Sequence, residues 1–108
     1  MKVLIVEDEI LERKALIHLM KTEFEQVSIV LTADNGEQAV KMAVQERPDL
    51  ILMDINLPLL DGISAIQQLR EQSEDCPVIM VSPYSAYEHL RGSMREHALD
   101  YLVKPRLF

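Results

Sequence analysis

The chain has 108 residues, 48% of them hydrophobic, 27% charged and 5% aromatic, which suits one compact domain and leaves no room for a second. Eleven basic against eighteen acidic residues give a net charge of -7, with no cluster of Lys or Arg. That argues against direct nucleic-acid binding, where phosphate contacts supply most of the affinity. No run reaches the roughly 18 apolar residues of a membrane span. The start lacks a signal-peptide layout, and the single cysteine, Cys76, has no internal partner. A soluble cytoplasmic domain without membrane contact is expected.

In chain order, densely apolar runs alternate with amphipathic stretches. Val3 to Val6 predicts the first strand, and Ile10 to Phe24, with Leu16, Leu19 and Met20 at helical spacing, the first helix. Val27 to Leu31 predicts the second strand. Asp34-Asn35-Gly36 is a turn that caps a second helix, whose inner side carries Ala39, Val40 and Ala43; Pro48-Asp49 ends it. Leu50 to Met53 predicts the third strand. Asp61-Gly62 opens a third helix that fades at Ser73-Glu74-Asp75. Val78 to Val81 predicts the fourth strand, Ser85 and Glu88 have capping-box spacing for a fourth helix, and Leu99 to Val103 is a weaker fifth strand. Runs that are apolar at every position suit strands buried on both faces, as in a parallel sheet. The alternation predicts an open, doubly wound α/β domain with ligands at the carboxyl ends of the strands.

The residues at those ends carry the chemistry. Glu7 and Asp8 follow the first strand, Asp54 the third, Ser82 the fourth and Lys104 the fifth. Carboxylates gathered in one cleft repel unless something positive compensates. Lys104 supplies one charge and a hard divalent cation supplies more; Mg²⁺ takes oxygen ligands, often a few carboxylates with waters. Such a site beside a carboxylate nucleophile suits phosphoryl chemistry.

Four segments together resemble the receiver domain of two-component response regulators: Leu4 to Glu9, Leu50 to Gly62, Val78 to Ser82 and Asp100 to Pro105. The resemblance spans residues 2–105, and the stretch from Ser82 to Glu88 resembles receivers that precede AraC-type DNA-binding domains. It implies a flavodoxin-like (CheY-like) five-stranded parallel sheet in the order 2-1-3-4-5 with helices on both faces. It also implies that Asp54 accepts a phosphoryl group from a sensor histidine kinase or a small phosphodonor. Mg²⁺ would be held by Glu7, Asp8, Asp54 and the backbone carbonyl of Asn56. Ser82 and Lys104 would bind the phosphoryl oxygens, Tyr101 would change rotamer with Ser82, and a cis Lys104-Pro105 bond would aim the lysine. Phosphorylation would alter the face of the fourth helix and fifth strand to control an output domain; a homodimer is a partner state that the sequence leaves open. The domain would be a switch and not a turnover enzyme.

Two features depart from the family. Pro83 follows Ser82 where a small residue with a backbone N–H is usual, which predicts weaker phosphoryl binding or a stiffer switch. The chain stops at Phe108, where receivers continue into a fifth helix, so a single domain at residues 1–108, cut before that helix and lacking its output domain, is expected. Three rival functions fit parts of the pattern. A haloacid-dehalogenase-type phosphatase wants Asp where Asn56 stands. A flavin-binding module wants a Ser-, Thr- or Gly-rich loop in place of Glu7-Asp8-Glu9. A pseudo-receiver that works without phosphorylation is the alternative that Pro83 and the missing helix keep open. Cys76 and the six methionines read as packed residues, and His18, His89 and His97 as non-functional.

Overall fold

The computed structural model describes residues 1–72, 74–82 and 100–103. The strands are β1 (Lys2–Val6), β2 (Ile29–Ala33), β3 (Leu50–Asp54), β4 (Val78–Ser82) and β5 (Asp100–Val103), and the helices are α1 (Ile10–Glu23), α2 (Gly36–Glu46) and α3 (Gly62–Glu71). All strand pairs are parallel, in the order β2-β1-β3-β4-β5. This is the doubly wound sheet expected from the alternation. The chain reverses its direction of growth at β1, so β1 and β3 stand side by side with Val6 opposite Met53. The predicted fourth helix, Pro83 and the Lys104-Pro105 bond lie outside the described residues, as do His89 and His97.

Because successive strand residues point to opposite faces, each strand divides its side chains between two cores. Leu4 and Val6, Ile51 and Met53, and Val78 and Met80 pack with Ala39, Val40 and Ala43 of α2 and with Ala65, Ile66 and Leu69 of α3. Val3, Ile5, Leu52 and Val81 face the other way, against Leu16 and Met20 of α1. Helices therefore cover both faces. Burying a side chain the size of Ile66 or Leu69, both fully enclosed, contributes about 1.5–3 kcal/mol each.

Three expectations need correction. The second strand lies two residues later than the apolar run Val27 to Leu31 suggests. Its position is set by pairing, from Lys2 with Ile29 to Val6 with Ala33, and the Val27 N–H is instead used in a turn to the Phe24 carbonyl. Nor is β2 buried on both faces: it is the sheet edge, and Ile29 is 48% exposed. Leu19 also faces outward, because α1 presents the stripe through Leu16, Ile17 and Met20 to the sheet.

Candidate functional site

Each strand of the central pair ends in a carboxylate. Glu7 follows β1 directly; its backbone N–H donates to the Ala33 carbonyl at 3.0 Å and it is fully buried. Its carboxylate accepts from the Glu9 N–H at 3.4 Å, at the entrance to α1, and its carbonyl accepts from the Arg13 guanidinium at 2.9 Å. Asp54 closes β3 and is 6% exposed; its Oδ1 accepts from the Asn56 N–H at 3.2 Å. Burying a carboxylate is unfavourable without compensating partners. Two of them at adjacent strand ends, at the point where the chain reverses direction, mark the place where this fold type binds ligands.

A third carboxylate joins them. Oxygen atoms of Glu7, Glu12 and Asp54 all lie within 4.8 Å of one another. Glu12 lies in the first turn of α1, and its only local signal in the sequence is an acid at a helix start. Asp8 is exposed and lies outside this trio, and Asn56 is exposed at the start of the following loop. Ser82 is the last residue of β4, and Tyr101 lies on β5 opposite Met80. That places Ser82 at the carboxyl edge of the sheet, two positions along from Tyr101's partner. Lys104 lies outside the described residues.

The donor set suits a hard cation. Opposite ligands on Mg²⁺ stand about 4.2 Å apart, twice the bond length of about 2.1 Å. Three carboxylates whose oxygens lie within 4.8 Å can therefore hold such an ion with slight contraction or through one bound water.

The loop beyond Asp54 is closely braced. Gly62 opens α3, its N–H donating to the Ile55 carbonyl at 2.8 Å. A Cβ there would stand 2.3 Å from the Asp54 carbonyl oxygen. Asp61 caps the helix, accepting from the Ser64 N–H at 2.9 Å, as expected from the sequence. Asn35 caps α2 in the same way through Gln38, and Gly36 lies so near the loop that a Cβ would fall 1.7 Å from the Leu60 carbonyl oxygen. Between them Leu59 takes φ 68°, with the Leu60 N–H bonded back to the Pro58 carbonyl at 2.7 Å, the geometry of a γ-turn with positive φ.

Comparison with known proteins agrees with this geometry. Residues 3–107 match the response regulator receiver domain family. The probable C4-dicarboxylate response regulator DctR of Bacillus subtilis is 34% identical over 104 residues, covering 96% of this chain and 46% of that protein. A receiver domain of a Pseudomonas aeruginosa sensor histidine kinase, solved with magnesium coordinated in its active-site cleft, is 32% identical with a TM-score of 0.83, covering 96% of this chain and 84% of that one. A two-component transcriptional regulator AraC from Clostridium phytofermentans is 33% identical with a TM-score of 0.78, covering 97% and 80%. The chain spans less than half the length of the curated relative DctR. With the sheet order, the buried strand-end acids and the family match in agreement, this chain belongs to the response regulator receiver domain family of two-component signalling.

Proposed function

We propose that this receiver is a magnesium-dependent phosphoryl acceptor in which Asp54 is the nucleophile. The observation that carries this reading is the burial of Asp54 at the end of β3, with the Glu7 and Glu12 carboxylates within 4.8 Å. In the step, an Asp54 carboxylate oxygen attacks the phosphorus of a phosphohistidine on a sensor histidine kinase, or of a small acyl phosphate. The new O–P bond forms as the N–P or donor O–P bond breaks, and the leaving imidazole or carboxylate departs with its electron pair. Glu7, Asp8, Asp54 and the carbonyl of Asn56 are the proposed holders of Mg²⁺, whose charge would offset the negative charge on the phosphoryl oxygens. Ser82, at the end of β4, donates its hydroxyl to a phosphoryl oxygen, and Lys104 pairs with the same group. Tyr101 follows Ser82 as the switch residue.

The aspartyl phosphate carries more charge and more acceptor oxygens than the free carboxylate, so it biases a two-state element and not a turnover cycle. The proposed output is a covalently linked domain of a longer protein that controls transcription through DNA binding in the cytoplasm, a reading supported by transcriptional regulators among the relatives; the receiver itself is proposed to make no nucleic-acid contact, and a homodimer is proposed as one signalling form. Among the described residues, no helix is long and apolar enough to cross a membrane.

Intact-mass measurement after incubation with acetyl phosphate tests the reading. A single phosphoryl adduct is expected, absent without Mg²⁺ and absent in Asp54→Asn. An adduct that survives in Asp54→Asn would move the acceptor elsewhere. No adduct on folded, Mg²⁺-binding protein would make the domain a phosphorylation-independent pseudo-receiver.

A further inference from the structure

We infer that Asn35-Gly36, the single Asn-Gly dipeptide of the chain, is a deamidation site that the native fold holds shut and that opens when the first turn of α2 unwinds. In such a dipeptide the glycine nitrogen gives its proton to solvent base and attacks the asparagine Cγ. The new N–Cγ bond closes a five-membered succinimide as the Cγ–Nδ2 bond breaks and ammonia leaves. Water then opens the ring on either side, giving aspartate or isoaspartate at position 35. Glycine hinders the attack least, because it carries no Cβ.

In the folded chain each of these groups is held. Asn35 Oδ1 accepts from the Gln38 N–H at 2.8 Å and its Nδ2 donates to Asp34 Oδ1 at 2.8 Å, which fixes the side-chain amide at both ends. The Asn35 carbonyl accepts from the Ala39 N–H at 3.0 Å. Its extended backbone, at φ -156° and ψ 166°, keeps the Gly36 nitrogen out of the plane that a ring through Cγ requires. Gly36 is itself buried against the Leu60 carbonyl, with no room for a Cβ. Its N–H nevertheless makes only a long 3.4 Å bond to the Pro58 carbonyl, whereas the Gly62 N–H of Asp61-Gly62 donates to Ile55 at 2.8 Å. Unwinding the first turn of α2 removes the bonds from Gln38 and Ala39 together and frees both reacting groups.

The two products differ in consequence. Aspartate keeps the cap, since Asp and Asn serve equally there, but it loses the donor to Asp34 and sets a second negative charge beside it. Isoaspartate lengthens the main chain by a methylene just before Gly36, where the Leu60 carbonyl leaves no space. A chain modified in this way while open does not regain the contact between α2 and the loop beyond Asp54, so the site records unfolding irreversibly.

Peptide mass mapping at position 35 tests this, after incubation in mildly alkaline buffer with the protein folded or unfolded in guanidinium chloride. Unfolded protein should convert at least about tenfold faster than folded protein, since only open molecules react. Glu37→Gly is an exposed change that loosens the first turn of α2 without altering the dipeptide. Relative to its own unfolded rate, it should raise folded-state conversion about threefold, with thermal melting showing that the variant folds. Equal rates in folded and unfolded wild type would overturn the protection, and no conversion even when unfolded would remove the site. A folded-state rate unmoved by Glu37→Gly would overturn the role of the first turn of α2.

Discussion

At their amino ends, β1 and β3 are tied to their neighbours by polar groups that find partners close by. The Lys2 N–H donates to Asp49 at 2.7 Å, and the Asp49 N–H returns a bond to the Lys2 carbonyl at 2.8 Å. The Lys2 ammonium reaches the Glu46 carbonyl at 3.0 Å, and Arg70 bonds the carbonyls of Glu74 and Cys76 at 2.8 and 2.9 Å. At their carboxyl ends the same two strands bury Glu7 and Asp54 beside Glu12, and β3 leads into a loop with a positive-φ leucine, closely approached by Gly36 of α2 and Gly62 of α3, neither of which has room for a side chain. One end is arranged to hold the sheet; the other gathers like charges and tight backbone contacts that stability alone would not select. Stability and chemistry are thus separated along a strand only five residues long.

The largest effects should come from filling the close approaches at the carboxyl end. Gly36→Ala would drive a Cβ into the Leu60 carbonyl, and Gly62→Ala would press on the Asp54 carbonyl oxygen and the Met80 methyl group. Alanine's better helix propensity, worth up to about 1 kcal/mol, offsets only part of this. Each variant should lose about 2–3 kcal/mol of unfolding free energy in urea titrations, the upper part of the ordinary range for overpacking. Gly62→Ala should also lower the yield of phosphoryl adduct in the fraction that remains folded, since the displaced atom belongs to Asp54. Equal adduct yields in Gly62→Ala and wild type would show that the brace serves the fold alone.

The amino end makes a prediction that depends on pH. Cys76 is buried, and its thiol donates to the Pro48 carbonyl at 3.1 Å. Burial, with Glu74 adding to it, pushes the thiol from its ordinary 9.0 up to about 11. In the unfolded chain the proton is lost first, so above pH 9 the unfolded state binds fewer protons than the native one and stability falls as pH rises. The contribution is fully present below about pH 9 and is lost as pH passes 11. Two units correspond to roughly 2–3 kcal/mol. Urea titrations at pH 8 and pH 10.5 should show this decline in the wild type and a shallower one in Cys76→Ala. The same burial should leave the thiol slow to alkylate at neutral pH.

How much of this was legible in the sequence follows from the range of the interactions involved. Asn35 and Asp61 were readable as caps because a short polar side chain needs only the N–H three residues on. The buried side of α2 was readable because Ala39, Val40 and Ala43 repeat at helical spacing. The second strand was misplaced by two residues because its limits are fixed by β1, and the residues chosen there, Thr32 and Ala33, are not the most apolar ones available. Glu7 and Asp54 were legible as strand-end acids. Glu12 was not, because its approach to them depends on how α1 lies across the sheet, which no local pattern encodes. The roles proposed for Ser82 and Tyr101 rest on family resemblance, and of these residues the fold supplies the backbone positions on β4 and β5.

The smallest expected effect sharpens the contrast between the two ends. Leu59 is 74% exposed at φ 68°, so its side chain contributes almost no burial while its backbone sits where a Cβ is strained. Replacing it by glycine relieves the strain but gives the unfolded chain more freedom, and the two terms oppose each other. The net gain for Leu59→Gly should be about 0.5–1 kcal/mol, visible as a modest rise in melting temperature. Arg47 provides the matching test at the far end of the sheet. It also has positive φ, at 48°, but it terminates α2 there, with its N–H bonded to the Ala43 carbonyl at 3.0 Å. Arg47→Gly should therefore stabilise by a similar amount without touching phosphorylation. Leu59→Gly, three residues beyond Asn56, should change the rate of adduct formation as well. A rate unchanged in both variants would mean that the strain beside Asp54 belongs to the turn and has no part in positioning the acceptor.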